Sequence, residues 1–231
     1  SSVIHNMGDK TQTRDSMRAA GVPITPGSEG NLADVEEALK LADEIGYPIM
    51  IKATSGGGGR GIRRCDTPQE LKLQYPRVIS EATKAFGSAE VFMEKCIVDP
   101  RHIEVQILAD SQGNVIHLYE RDCSIQRRNQ KLIEIAPSPQ LTPEQRQYIG
   151  SLAVKAAAAV GYENAGTVEF LLTGNQVYFM EMNTRVQVEH TITEQITGVD
   201  IVREQLRIAS GLPLSYRQED ISYRGYALQF R

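Results

Sequence analysis

The stretch Glu181-Met-Asn-Thr-Arg-Val-Gln-Val-Glu-His190 places acid, amide, cation, amide and acid at alternate positions: Glu181, Asn183, Arg185, Gln187 and Glu189. Side chains alternate faces along a strand, so an extended segment shows those five groups on one side and turns Met182, Thr184, Val186 and Val188 toward a core. The solvated face of a surface strand is the common origin of such alternation, but it seldom collects two carboxylates, two amides and an Arg. The polar face therefore reads as a reaction surface.

Two further groups of residues bear on its chemistry. The runs 166–172 and 176–184 form a hairpin across Thr173-Gly-Asn175, which sets Glu169 on one strand and Glu181 on the next. With Asn183 they offer the hard oxygen ligands that magnesium prefers, leaving room for phosphate oxygens. Upstream, Ser55-Gly-Gly-Gly-Gly-Arg-Gly61 matches a dinucleotide fingerprint in letters only. Ile62-Arg-Arg-Cys65 after it reads as a strand where the fingerprint requires a helix, and no Lys-Ser or Lys-Thr makes a P-loop. A backbone without Cβ atoms at Gly56, Gly57, Gly58 and Gly59 fits a flap that donates amide hydrogens to a polyphosphate. Lys52, at the end of an apolar strand, needs solvent or an anion, and a phosphate supplies the anion. Flap, lysine and paired acids together describe an ATP site.

The elements that must position these residues follow from local signals. Helices are expected over 9–20, closed by Gly21 and Pro23, and from an Asn31 cap to Gly46. Pro48–Ala53 and Ile62–Cys65 make a hairpin around the glycine loop. Thr67-Pro68 opens a helix that Pro76 kinks or interrupts before Gly87. Strands are expected at 90–97, 102–109 and 115–122, grouped with the glycine hairpin in one small sheet-bearing lobe. A long Ala-rich helix fills 141–160, and a final helix runs from about Val199 to Ser210.

The 231 residues, 41% of them hydrophobic, can bury a substantial core. A net charge of −4 speaks against a general nucleic-acid binder, and no apolar run reaches membrane length. The N-terminus lacks signal-peptide character, so the expected location is cytoplasmic, or the mitochondrial matrix in a eukaryote. Cys65, Cys96 and Cys123 have neither zinc nor disulfide spacing, and are expected to be reduced and partly buried.

Together with Met7-Gly-Asp-Lys10, Met93-Glu-Lys95, Arg101-His-Ile-Glu-Val-Gln106, Glu120-Arg-Asp-Cys-Ser124 and Gln126-Arg-Arg128, these motifs resemble the biotin carboxylases of the ATP-grasp superfamily. Gly161-Tyr-Glu-Asn-Ala-Gly-Thr-Val-Glu169 and Tyr226-Ala-Leu-Gln229 are most similar to the biotin carboxylase part of pyruvate carboxylase. The resemblance implies an α+β, ATP-grasp fold with two α+β lobes clasping the nucleotide under a glycine-rich flap. Residues 1–50 would be an N-terminal segment, 51–125 the lid lobe and 126–231 the C-terminal lobe. The family's flanking N-terminal and C-terminal domains are expected to be absent from this stretch.

The same resemblance implies ATP- and Mg2+-dependent (or Mn2+-dependent) carboxylation of carrier-bound biotin by bicarbonate through carboxyphosphate. Lys10, Lys52 and Lys131 would contact phosphates, and Glu94, Lys95 and Ile97 would line the adenine site. His102 would approach the ribose, with Gln126 and Asn129 also at the nucleotide. Glu169, Glu181 and Asn183 would manage the metal. Arg185, Gln187 and Val188 would hold bicarbonate, Glu189 would remove its proton, and Arg231 would stabilise the biotin enolate. Glu189 is expected to stay ionised beside Arg185, and His190 to be structural. A biotin carboxyl carrier domain and a carboxyltransferase, in the same chain or another, are the implied partners, with a homo-oligomeric parent and neither nucleic acid nor membrane. Arg127-Arg-Asn-Gln-Lys131 departs from the family's usual Arg-Arg-His-Gln-Lys: Asn129 keeps a hydrogen bond but cannot carry charge, which predicts weaker or altered nucleotide binding. A nucleotide-binding module without turnover, and another ATP-grasp carboxylate ligase, are the alternatives.

Overall fold

The computed structural model describes residues 10–55, 61–128 and 130–231, with the backbone alone at 10 and 11. The flap glycines Gly56, Gly57, Gly58 and Gly59, the Lys10 side chain and Asn129 lie outside the described residues.

The elements in chain order are α1 (Lys10–Ala19), α2 (Val35–Ile45), β1 (Ile49–Ala53), β2 (Ile62–Cys65), α3 (Pro68–Phe86), β3 (Val91–Lys95), β4 (Arg101–Ala109) and β5 (Val115–Arg127). They continue with β6 (Gln130–Ala136), α4 (Pro143–Ala159), β7 (Asn164–Thr173), β8 (Gln176–Asn183), α5 (His190–Thr197), α6 (Ile201–Ala209) and β9 (Ala227–Phe230). The chain divides into two compact units, one taking in α1 up to Asp15 and Thr25–Val98, the other Ser16–Ile24 and Asp99–Arg231.

In the first unit β2, β1 and β3 form an antiparallel sheet in that order. Ile49, Ile51, Val91 and Met93 of this sheet pack with Leu71, Tyr75 and Val78 of α3 and with Ala38 and Ala42 of α2. The α2 cap expected at Asn31 and an interruption of α3 at Pro76 are not found here. Asp34, not Asn31, caps α2, its side chain accepting from the Glu37 amide at 2.8 Å. Helix α3 runs unbroken through Pro76, because Leu71, Tyr75, Val78 and Ala82 bury one continuous face.

The second unit holds a six-stranded antiparallel sheet in the order β8-β7-β4-β5-β6-β9. The strands expected at 102–109 and 115–122 in one lobe with the glycine hairpin belong to this sheet instead, since β4 pairs with β7 and β5 with β6. Alternation along the strands separates two faces. Ile103, Val105, Ile107, Val168 and Phe170 join Ile149, Leu152, Ala153 and Ala156 of α4 in the core. His102, Glu104, Gln106, Thr167 and Glu169 take the opposite face. Helix α4 starts at a capping box between Thr142 and Gln145. Among the described residues no helix is long and apolar enough to cross a membrane. All three cysteines are free; Cys65 and Cys123 are buried and Cys96 is half-buried.

Candidate active site

The polar face of the six-stranded sheet begins with a conflict. Glu104 on β4 lies directly across from Glu169 on β7, and Glu169 directly across from Glu181 on β8. Like charges in cross-strand register destabilise a sheet unless something neutralises them. Lys131 of β6 does so from above. Its ammonium donates to Glu104, to Glu169 Oε1 at 3.0 Å and to Glu189 Oε1 at 2.9 Å. Burial works against the lysine's charge, but Glu104 and Glu169 outweigh it and raise its pKa.

Glu169 is the busiest carboxylate. Its Oε2 lies 2.6 Å from His102 Nε2, and its Oε1 accepts from Lys131, from Asn183 Nδ2 at 2.9 Å and from Gln187 Nε2 at 3.2 Å. Gln126 Nε2 lies 2.8 Å from His102 Nδ1, and an amide nitrogen can only donate, so the imidazole proton belongs on Nε2 and points at Glu169. Burial alone would raise the Glu169 pKa, yet the His102 contact and the Lys131 charge hold it well below the ordinary carboxylate range.

The segment that follows Asn183 is not the strand that polar alternation predicts. Strand β8 stops at Asn183, residues 184–189 form a loop, and Glu189 sits at the N-cap of α5. The loop buries Gln187 and Glu189 while leaving Val188 65% exposed, so Val188 does not join a core. Its curvature, not a period of two, turns Gln187 and Glu189 inward. Glu189 receives Lys131 on Oε1 and Arg231 Nη2 on Oε2 at 2.7 Å. Burial opposes ionisation, but the Lys131 hydrogen bond and charge prevail and lower its pKa. The cation that keeps Glu189 ionised is therefore Lys131, with Arg231 paired to the other carboxylate oxygen. Arg185, expected in that role, is exposed and reaches Val186 O at 3.3 Å and Asn183 Oδ1 at 3.5 Å. His190 Nδ1 lies 2.7 Å from Gln187 O.

Strand β9 delivers Arg231: pairing with β6 ends in a hydrogen bond from the Arg231 amide to Leu132 O at 3.0 Å. Its Nε forms an ion pair at 2.8 Å with Glu134, whose side chain is fully buried. Burial raises the Glu134 pKa; Arg231 opposes that and Glu189 reinforces it.

Of the site residues expected from the sequence, His102, Gln126, Lys131, Glu169, Asn183, Gln187, Glu189 and Arg231 are joined in one hydrogen-bonded network. Glu181 faces Glu169 across the strands but is exposed, and Arg185 touches the network through Asn183. Glu104, Gln106, Arg121, Glu134, Thr167 and Thr193 also line this network and were not anticipated from the sequence. The alternation His102, Glu104, Gln106 within an otherwise apolar strand is a signal for the first two.

The other unit carries its own polar cluster. Glu94 on β3 accepts Arg14 Nη1 at 2.8 Å and Thr25 Oγ1 at 2.9 Å on Oε2, and Lys52 of β1 on Oε1. Lys52 thus has a carboxylate partner, not solvent. Burial raises the Glu94 pKa, but Lys52 and Arg14 together lower it. Lys95 Nζ donates to Gly46 O and Tyr47 O, both at 2.9 Å, and Ile97 is half-buried.

A divalent cation fits the donor set of the six-stranded unit. Glu104 and Glu169, directly across from each other on β4 and β7, bring carboxylate oxygens within 4.8 Å of one another. The buried carboxylates Glu104, Glu134, Glu169 and Glu189 also outnumber the cations Arg121, Lys131 and Arg231 on the same face. Oxygen donors in such excess suit magnesium or manganese.

Residues 9–217 match the family model described as the carbamoyl-phosphate synthase L chain, ATP binding domain. The chain is 60% identical over 231 residues to the 2-oxoglutarate carboxylase small subunit of Hydrogenobacter thermophilus, covering 99% of this chain and 49% of that one. It is 56% identical over 230 residues to biotin carboxylase 1 of Bacillus subtilis, covering 99% and 51%. The biotin carboxylase domain of the Hydrogenobacter thermophilus 2-oxoglutarate carboxylase, crystallised as a dimer with MgADP, ADP and bicarbonate, superposes with a TM-score of 0.94 at 59% identity, over 100% of this chain and 51% of that one. The chain thus spans about half the length of the relatives it matches.

Proposed function

The chain belongs to the carbamoyl-phosphate synthase L chain ATP-binding domain family and, within it, to the biotin carboxylases of ATP-grasp fold; from that premise we propose that it carries the ATP-dependent carboxylation of biotin. The γ-phosphoryl group of ATP passes to bicarbonate, giving carboxyphosphate and ADP. The carboxyl group then passes to a ureido nitrogen of carrier-bound biotin, with release of phosphate.

The observation that carries this reading is Glu189, a buried carboxylate held ionised between Lys131 and Arg231 beside the Gln187 amide. Bicarbonate is an anion that must attack another anion, so cations and hydrogen-bond donors have to hold it in line. Arg185, Gln187 and the Val188 backbone supply those donors, and Glu189 accepts the proton as the nucleophile forms. Arg231 is shared with Glu189 and stands ready for the enolate of biotin. Lys52 and Lys131 exchange their carboxylate partners for phosphate oxygens. Magnesium, which Glu169, Glu181 and Asn183 would hold, supplies neutralisation of phosphate charge when bound. Glu94, Lys95 and Ile97 are proposed to meet adenine, and His102 and Gln126 to meet the ribose. The flap glycines, Lys10 and Asn129 keep the roles that the resemblance implies.

The proposed partners are a biotin carboxyl carrier domain and a carboxyltransferase, within a homo-oligomeric parent of pyruvate carboxylase type. The test is bicarbonate-dependent ATP hydrolysis with free biotin by the full-length parent. Glu189→Gln is expected to lower it by about 10²-fold or more, the usual worth of a positioned base, while MgATP still binds. An unchanged rate in Glu189→Gln refutes the base assignment. MgATP binding with no bicarbonate stimulation in the wild type identifies a nucleotide-binding module instead, and stimulation by another carboxylate identifies a different ligase.

A further inference from the structure

Arg121 on β5 is fully buried and has no part in the roles above. Its guanidinium reaches five acceptors. Nε donates to Glu104 Oε1 at 2.5 Å, and Nη1 to Gln106 Oε1 at 2.9 Å, both on β4. Nη1 also donates to Thr193 Oγ1 of α5 at 3.0 Å, while Nη2 donates to Thr167 Oγ1 of β7 at 3.2 Å and to Gln187 Oε1 at 3.4 Å. Burying a guanidinium is expensive unless every donor is met, and a lone neutralising partner for Glu104 would not need this many elements.

The polarity of the Gln187 contact gives the arrangement its chemical meaning. An amide ends in an acceptor and a donor on opposite sides. Arg121 can only donate, so it takes Gln187 Oε1 and leaves Nε2 to face the site, where it donates to Glu169 Oε1 at 3.2 Å. Arg121 also holds the loop from its far side, because Thr193 lies one helical turn beyond Glu189. Glu189 thus lies in the chain between two residues, Gln187 and Thr193, that both hydrogen-bond one buried cation.

We propose that Arg121 is a positioning residue for bicarbonate: it locks the 184–193 segment so that Gln187 presents N–H donors, and Glu189 its carboxylate, to the anion. This rests on the biotin carboxylase reading above. Without the fork, the Gln187 amide is free to turn over and present an oxygen to an anionic substrate.

The experiment uses the full-length parent and measures KM for bicarbonate and for MgATP separately. Arg121→Lys keeps the charge beside Glu104 but cannot span Glu104 and Gln187 at once. It is expected to raise the bicarbonate KM about tenfold or more, the worth of one charge-assisted hydrogen bond, and to leave the MgATP KM within about twofold. In a Gln187→Ala background the same change is expected to raise the bicarbonate KM by a clearly smaller factor, since only the Thr193 contact then transmits the effect. An unchanged bicarbonate KM, a parallel rise in both KM values, or an equal effect in the Gln187→Ala background overturns the proposal. Should Arg121→Lys fail to fold, Arg121→Met combined with Glu104→Gln removes the buried pair together and is compared with Glu104→Gln alone. A selective rise in bicarbonate KM supports the proposal and none overturns it. A wild type without bicarbonate stimulation defeats the underlying reading; a stimulated wild type with unaffected variants defeats this inference alone.

Discussion

Glu94 shows how one buried side chain couples stability to ligand chemistry. It binds Arg14, Thr25 and Lys52 at once, and its pKa falls below the ordinary glutamate value of 4.5 although burial alone would raise it. A carboxylate with a depressed folded pKa contributes stability that is fully present above its unfolded value and lost as pH falls through the folded one. Glu94→Gln is therefore expected to cost on the order of 2 kcal/mol at pH 7. That is less than the roughly 3–5 kcal/mol of a fully buried broken pair, because the Lys52 side chain stays 20% exposed. Urea unfolding should show the gap from wild type closing as pH drops below about 4.5; a gap constant down to pH ~3 would refute the assignment. At this scale the sequence was legible where function and local chemistry coincide. Lys52 could be read as needing an anion, and Glu189 as a carboxylate that stays ionised. That Glu94 is the anion, and that Lys131 with Arg231 rather than Arg185 holds Glu189, depends on β1–β3 and β6–β9 pairing, which no local spacing encodes.

Pro76 makes the corresponding point for elements. Read locally, a proline at this position ends or kinks a helix, since it removes an N–H and crowds the carbonyl four residues back. The structure keeps α3 whole from Pro68 to Phe86, with Thr67 capping the start, Gly87 in the left-handed conformation at the end, and Leu71, Tyr75, Val78 and Ala82 buried between them. Tertiary burial outweighs the lost hydrogen bond, so Pro76 is a tolerated cost on the exposed side. Pro76→Ala is expected to stabilise the protein by about 2 kcal/mol, roughly 3 for the helix interior less up to about 1 for the freer unfolded chain. A melting temperature unchanged or lowered by the substitution would contradict this account. Elements with strong punctuation, such as α4 behind Thr142-Pro143 or the β7–β8 turn, were legible to within a few residues. Strand β6, helix α5 and strand β9 were not: each is short, carries polar residues toward the site, and exists because a neighbouring strand or core receives it. The misread strand at 184–189 has the same origin. Its alternation of polar and apolar residues arises from a loop that buries Gln187 and Glu189, and a period of two cannot tell the two cases apart.

Across the whole chain a net charge of −4 coexists with a face on which Arg121, Lys131 and Arg231 answer Glu104, Glu134, Glu169 and Glu189. Composition reports only the sum, and so excludes a general polyanion binder while saying nothing of the site. Which strands share a sheet is equally invisible locally: β4 and β5 follow the glycine hairpin in sequence but join β7 and β6 in space. The excess of buried carboxylate on this face predicts a molecule that gains stability when a divalent cation and a nucleotide arrive together, since ligands that bind only the folded state stabilise it by mass action. In the full-length parent, MgATP at about 100 times its Kd should add about 2.7 kcal/mol, read as a rise in melting temperature. ATP with excess EDTA should yield a much smaller rise, because phosphate charge then meets Glu169 and Glu181 unshielded. Glu169→Gln removes one of the carboxylates that repel free ATP and attract magnesium, and should narrow the difference between the two conditions. Equal rises with and without the metal in the wild type would show that these acids do not hold it.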